Sequence, residues 1–334
     1  MGTHIFINYW VPNINMEQQN TLFQGELEKS ISIVKLQKNL LTLEHEKENF
    51  IKNLCNFVDP LNFEAIQVMG RPRADFRDII KAILVMSYNG MSYRRTQSDL
   101  RWMYERELIK SIPPRSTTND YVNDLNTKKL IEKLISLSSL FFVDEEDTVI
   151  LDSTWFAKRM YGGGYKQVHD KRAGSLYKVR KLHIACLKNS KVIAYARASK
   201  GTEHDSPFFE EIVRGVSKLG FPLKTLLADS GYLSKDNYLI CKELGILNTF
   251  IDFKSNITGK RGKSDLWREK FKLYKEQKSV WNETYRFRVI LEGIFSAIKR
   301  KGITYLRSKK ETAMDVEVLL KALVYNLTVI SKYT

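Results

Sequence analysis

The chain has 334 residues, enough for one large domain and a smaller one, and its 43% hydrophobic and 28% charged content is that of an ordinary globular protein. Lys and Arg number 54 against 38 Asp and Glu, and the net charge of +16 points to a polyanion partner, nucleic acid before an anionic membrane surface. No apolar run approaches the roughly 20 residues that cross a bilayer, no signal peptide is evident, and the three widely spaced cysteines, Cys55, Cys186 and Cys241, suit a reducing compartment as buried small hydrophobes without metal-ligand spacing.

In chain order, residues 1–24 are Asn-rich and aromatic with no clear period. Residues 26–57 carry a moderately amphipathic helical pattern, suited to an arm or a dimer contact, and residues 1–60 are expected to stand apart. A firmer helix is predicted over 75–88, with Phe76, Ile79, Ile80, Ile83 and Leu84 on one face. Asn89-Gly90 then makes a turn, and Ser92 is expected to cap a second helix through Tyr104 that carries Arg94, Arg95 and Arg101. Pro113-Pro114 stops the pattern. Ser116-Thr117-Thr118 can cap another helix, and more helix follows through Leu137. Residues 61–146 thus read as an all-helical domain. It is either a helix-turn-helix DNA reader, with Arg94 and Arg95 on DNA, or a packing domain with a solvated basic face.

After Asp147 the period changes. Short strands are expected at 148–151, ending in Asp152, then at 177–187 and 192–198. Asp205 opens a helix ended by Gly220, residues 225–228 form a strand that runs into Asp229, Ser234 caps a further helix, and 249–251 is a last strand. A closing helix spans 311–331, with Val316, Leu319, Leu320, Leu323 and Val324 inward. Three strands followed by alternating helix and strand indicate an α/β fold, a mixed sheet with flanking helices over residues 147–334.

Two aspartates at strand ends cost desolvation unless something positive sits beside them. If they converge, they invite a divalent cation, and three hard oxygen ligands suit Mg²⁺ or Mn²⁺. Glu292 would supply the third carboxylate. It lies in the stretch Tyr285-x2-Arg288-x3-Glu292-x6-Lys299, whose spacing keeps all four side chains on one stripe of a helix. Each piece has a plainer alternative: a turn at Asp229-Ser-Gly, a salt-bridged surface pair at Arg288 and Glu292. Residues 254–283 interleave Lys260, Lys263, Arg268, Lys270, Lys272 and Lys275 with Trp267, Phe271 and Tyr274, either a clamp on a DNA strand end or a solvated basic helix. Gly162-Gly-Gly164 with Lys158, Arg159 and Lys166 forms a basic loop beside Asp152 and lacks a phosphate-loop signature. His183 falls inside a strand pattern and His204 just before a helix start. Both are expected to support the site at most indirectly.

The blocks Val149-Ile-Leu-Asp152-Ser-Thr, Leu227-Ala-Asp229-Ser-Gly-Tyr232 and the complete Tyr-Arg-Glu-Lys spacing resemble the catalytic blocks of DDE transposases of bacterial and archaeal insertion sequences. Lys181-Leu-His183, His204-Asp205-Ser206, Ser92-Tyr-Arg-Arg-Thr-Gln-Ser-Asp99 and Pro114-Arg-Ser-Thr-Thr-Asn-Asp120 are similar to that group as well, and the resemblance covers roughly residues 65–331. It implies an RNase H-like core in which Asp152, Asp229 and Glu292 are catalytic and hold Mg²⁺, with Mn²⁺ a substitute. Two ions about 4 Å apart would clamp the scissile phosphate. Tyr285, Arg288 and Lys299 would hold DNA phosphates, with Lys166, Arg268 and Lys270 further DNA contacts. The implied partners are double-stranded DNA (terminal inverted repeats and target) and a second copy of the chain as a homodimer. The implied setting is the cytoplasm, on the nucleoid and away from membranes. The implied activity is metal-dependent cleavage at transposon ends followed by strand transfer. A DNA-binding descendant without catalysis, or a nuclease or resolvase without strand transfer, is the alternative.

Overall fold

The computed structural model describes residues 45–63, 74–158, 179–254, 257, 265–300 and 305–333. Most of the expected arm, the glycine-rich basic loop with Lys166, and part of the 254–283 insertion lie outside them. Contacts divide the chain into two compact units, Met1–Thr127 with Leu327–Thr334, and Lys128–Asn326. Residues 128–146, grouped above with the helical domain, therefore pack with the second unit.

In the first unit the described residues form helices and no strand. These are α1 (Glu46–Val58), α2 (Phe76–Asn89), α3 (Tyr93–Glu105), α4 (Arg115–Val122) and the first turn of α5 (Leu125–Ser139). Helix α2 begins because the Asp75 side chain accepts from the N–H of Arg77, and ends because Gly90 takes the left-handed conformation at φ 59°. The Asn89-Gly90 turn is thus where the residues place it. Helix α3 buries only Thr96, Leu100 and Met103, a narrow stripe that leaves Arg94 and Arg95 exposed. Neither Ser92 nor Pro114 makes a side-chain cap; Ser92 serves α3 through its carbonyl, which accepts from Arg95 and Thr96.

The second unit is built on one five-stranded sheet of order β3-β2-β1-β4-β5. Its strands are β1 (Thr148–Ala157), β2 (Val179–Leu187), β3 (Ile193–Lys200), β4 (Thr225–Ala228) and β5 (Asn248–Ile251). The first three form an antiparallel meander, whereas β4 and β5 run parallel to β1. Crossovers through α6 (Phe209–Ser217) and α7 (Lys235–Glu243) connect the parallel strands. Every residue of β2 is buried, as expected of a strand covered on both faces. On α6, Phe209, Ile212, Val213 and Val216 are buried, and Gly215 lies so close to the Tyr195 ring that a Cβ there would be 2.3 Å from it. The closing helix α11 (Glu311–Ile330) buries all five residues expected to face inward. Its Asn326 amide accepts from the Ile193 N–H and donates to the Ile193 carbonyl and to Ser138 Oγ, which satisfies backbone groups on the open edge of β3.

Strand β1 is longer than its apolar run. Its parallel pairing with β4 ends at Leu151, but antiparallel pairing with β2 continues through Asp152 to Ala157. The 254–283 insertion folds into α8 (Asp265–Glu276) and α9 (Lys278–Tyr285). Its aromatic residues face inward: Trp267, Phe271 and Tyr274 pack on Phe253 at ring separations of 5.4, 5.3 and 5.0 Å, and Trp281 closes the cluster. Burying this much aromatic surface outweighs keeping the rings in water. The aromatic half of the interleaved pattern therefore serves the core. All three cysteines are buried and free, and among the described residues no helix is long and apolar enough to cross a membrane.

Candidate active site

The strand register sets the geometry. The last parallel pairs are Leu151 with Ala228 and Ala228 with Ile251, so Asp152, Asp229 and Asp252 follow at the same end of three adjacent strands. Behind them Val149–Leu151 and Leu226–Ala228 are fully buried, which anchors the strand ends from which the carboxylates project. Asp152 Oδ1 accepts from the Ser153 N–H at 2.7 Å. Asp229 opens a single 3₁₀ turn, Ser230–Tyr232, and its Oδ2 accepts from the Gly231 N–H at 3.3 Å.

A cation already stands between the first two aspartates. Arg288 Nη2 donates to Asp152 Oδ2 at 2.7 Å, and Nη1 lies 3.1 Å from Asp229 Oδ1. The same Nη1 donates to Tyr285 Oη at 2.8 Å. Burial pushes the Asp152 carboxyl above the ordinary carboxylate range, and the Arg288 charge opposes that shift. The guanidinium itself is held above its usual value by Asp152, despite burial acting the other way.

The stretch that carries Arg288 is not one uninterrupted helix. α9 ends at Tyr285, a 3₁₀ turn spans Arg286–Arg288, and α10 (Val289–Arg300) follows. Leu291, Ile294, Phe295 and Ile298 seat α10, while Glu292 is exposed and makes no hydrogen bond or ion pair among the described residues. The structure thus brings Asp152 and Asp229 together through Arg288. No group of three or more His, Cys, Asp or Glu among the described residues is placed to hold a metal ion. Between the two strand-end aspartates stands the Arg288 fork. The surface pairing of Arg288 with Glu292 is not formed either. Lys299, two turns further on, sits 5.8 Å from the Phe156 ring, and burial lowers its pKa.

A third layer surrounds the pair. Asp205 Oδ1 accepts from Ser153 Oγ and from Lys181 Nζ, both at 3.0 Å. The residues predict a helix opening at Asp205, but α6 starts at Phe209 after a 3₁₀ turn, and the Asp205 side chain makes no cap hydrogen bond. What hinted otherwise was Lys181 and His183, two residues apart on β2 and so on one face. His183 is fully buried. Its Nδ1 is 3.2 Å from Tyr232 Oη and its Nε2 2.9 Å from Ser199 Oγ, and burial pulls its pKa down to about 4. Both ring nitrogens are thus within hydrogen-bond reach of hydroxyl groups inside the sheet. His204 is exposed. Asp252 was also missed, although Thr249-Phe-Ile251-Asp252 repeats the pattern of an apolar strand running into Asp; burial raises its pKa and Asp229 adds to the rise.

A sequence profile described as the transposase DDE domain matches residues 144–327, more than half of the chain and nearly the whole of the second unit. The chain belongs to the DDE transposase family. No curated protein and no solved structure matches it.

Members of this family work with divalent metal ions, and the donor set bears on whether such an ion fits here. Two hard carboxylates share one positive charge, which is the donor chemistry a divalent ion takes. By the chemistry of their donors the two aspartates fit the group. Of the basic residues expected to contact DNA, Arg94 and Arg95 are exposed on α3 of the first unit; in the second, Arg268 lies 3.5 Å from Asp265 on α8, with Lys270 half-buried on the same helix.

Proposed function

We propose that this transposase cuts DNA at the ends of its element and joins those ends to target DNA by in-line phosphoryl transfer, on an RNase H-like core. The observation that carries the proposal is the pairing of Asp152 and Asp229 at adjacent ends of β1 and β4 on one shared positive charge. The strand order, an antiparallel meander followed by two parallel strands, supports the RNase H-like assignment.

Asp152 and Asp229, joined by Glu292 once Arg288 has moved, would hold Mg²⁺ or Mn²⁺, two ions in the full reaction. Such ions lower the pKa of an attacking water or 3′-hydroxyl and stabilise the leaving oxygen. The protein's own part is positional. Buried strand residues fix the two aspartates, and Ser153 and Gly231 N–H groups orient their carboxylates. Arg288, released from the aspartates, offers its planar fork to a DNA phosphate, and Tyr285 and Lys299 flank it. Arg94 and Arg95 bind the DNA backbone. Two copies of the chain pair the two ends as a homodimer.

The test is Asp229→Ala in a cleavage assay on DNA carrying the element's terminal repeats. Mg²⁺-dependent cleavage should fall below detection while DNA affinity stays within about threefold. Retained cleavage overturns the assignment, and cleavage without joining of a pre-cut end reduces the activity to that of a nuclease.

A further inference from the structure

We infer that Asp205 is the positioning residue that locks the two catalytic strand ends to each other, an inference that rests on the proposed role of Asp152 and Asp229. Its carboxylate stands between the two, and each oxygen serves one side. On the β1 side, Oδ1 accepts from Ser153 Oγ at 3.0 Å, and the N–H of the same serine holds Asp152 Oδ1 at 2.7 Å. On the β4 side, Oδ2 lies against Gly231. A Cβ at residue 231 would be 2.8 Å from that oxygen, closer than real Cβ atoms come. The Gly231 N–H in turn holds Asp229 Oδ2 at 3.3 Å. The chain Asp152, Ser153, Asp205 is joined by two hydrogen bonds, Gly231 and Asp229 by a third, and between them Asp205 Oδ2 fills the space that a side chain at 231 would need.

The carboxylate is itself pinned. Lys181 Nζ, on a nearly buried side chain, donates to Asp205 Oδ1 at 3.0 Å and to the Glu203 carbonyl at 2.8 Å. His183 Nδ1 lies 3.4 Å from the same oxygen. Asn237 of α7 ties the loop and the turn together, since its Nδ2 donates to Ser206 Oγ at 3.2 Å and to the Tyr232 carbonyl at 2.6 Å. Groups that orient metal-holding carboxylates typically cost 10–100-fold in metal affinity or activity when removed. In this arrangement Asp205 Oδ1 is held by hydrogen bonds while Oδ2 faces Gly231, which places one carboxylate beside both strand ends. The glycine at 231 follows from the same contact, because any side chain there would displace the Asp205 carboxylate.

The experiment is a double-mutant cycle on the full-length protein, read by Mn²⁺ titration with electron paramagnetic resonance and by single-turnover cleavage. Asp205→Ala should weaken Mn²⁺ binding by roughly 10-fold or more and lower kcat with little change in KM. Gly231→Ala should do the same. In the double variant the second loss should largely disappear, since without the carboxylate the new methyl group meets nothing. Asp205→Asn, which keeps the shape and the Ser153 acceptor, should recover most of the affinity. If Asp205→Ala does not fold, Ser153→Ala and Gly231→Ala still decide the matter, because each breaks one side of the path alone. Parental Mn²⁺ affinity in Asp205→Ala or in both single-sided variants, or strictly additive losses in the cycle, overturns the inference. Asp229→Ala run alongside separates the two levels. If it abolishes Mn²⁺ binding while Asp205→Ala keeps the parental affinity, only the positioning role fails; if neither it nor the parent shows specific Mn²⁺ binding, the catalytic assignment fails.

Discussion

Removing the Arg288 guanidinium should expose how strongly the two strand-end aspartates repel. Arg288→Met keeps the length of the side chain and deletes the charge. Adjacent strands lie about 4.8 Å apart, so two carboxylates at neighbouring strand ends repel by about 3 kcal/mol at an effective dielectric near 20. The three side chains keep between 18% and 36% of their surface exposed, so solvent and salt cut this to about 2 kcal/mol at pH 7. For the 199-residue unit 128–326 that corresponds to a fall in Tm of about 4–8 °C, readable by differential scanning fluorimetry. The deficit has a definite pH dependence. Asp152 already has its pKa raised by burial and held back by Arg288. Without the arginine the folded pKa rises further above the unfolded value, so the folded state binds the extra proton and stability is lost as pH rises through that window. The deficit should therefore be small near pH 4 and full by pH 8. Mn²⁺ should also raise the Tm of the variant more than that of the parent, since no arginine has to leave. An unchanged Tm at pH 8, or a deficit larger at pH 4 than at pH 8, refutes the idea that Arg288 neutralises the pair.

Other expectations follow from single features. His183 has a folded pKa of about 4 against 6.5 unfolded, so stability is intact above pH 6.5 and lost as pH falls towards 4, by up to about 3 kcal/mol; His183→Gln should flatten that slope in urea titrations, and parallel curves contradict it. Asn326→Ala orphans both backbone groups of Ile193 and should cost about 2–3 kcal/mol in chemical denaturation, whereas a loss under 0.5 would show that water replaces the amide. Arg94→Ala combined with Arg95→Ala should weaken DNA binding and lower the salt slope of log K by about 2, one per phosphate contact; an unchanged slope removes α3 from the interface.

How much of this was legible beforehand depended on the distance over which each feature is encoded. The helices of the first unit, the five strands and the closing helix each carry their own period of apolar residues, and α2, β4 and α11 lie within a residue or two of where that period put them. Asp152 and Asp229 could be singled out because a charged residue directly after a buried run is visible in a few residues of sequence. The extension of β1 past Asp152 was not, because it depends on pairing with β2. Nor was the inward turn of Trp267, Phe271 and Tyr274, since a basic-aromatic alternation does not say which face finds Phe253.

By itself, then, the amino-acid sequence determined the basic charge, the order of helices and strands, and the family's three blocks of residues. Only the tertiary structure decided who faces whom. Arg288 lies 136 residues from Asp152 in the chain, and its fork closes on both aspartates. Asp205, expected to cap a helix, meets Ser153 from 52 residues away. Local periodicity sets which side chains share a face, but a contact between distant residues forms only when the sheet register brings their elements together.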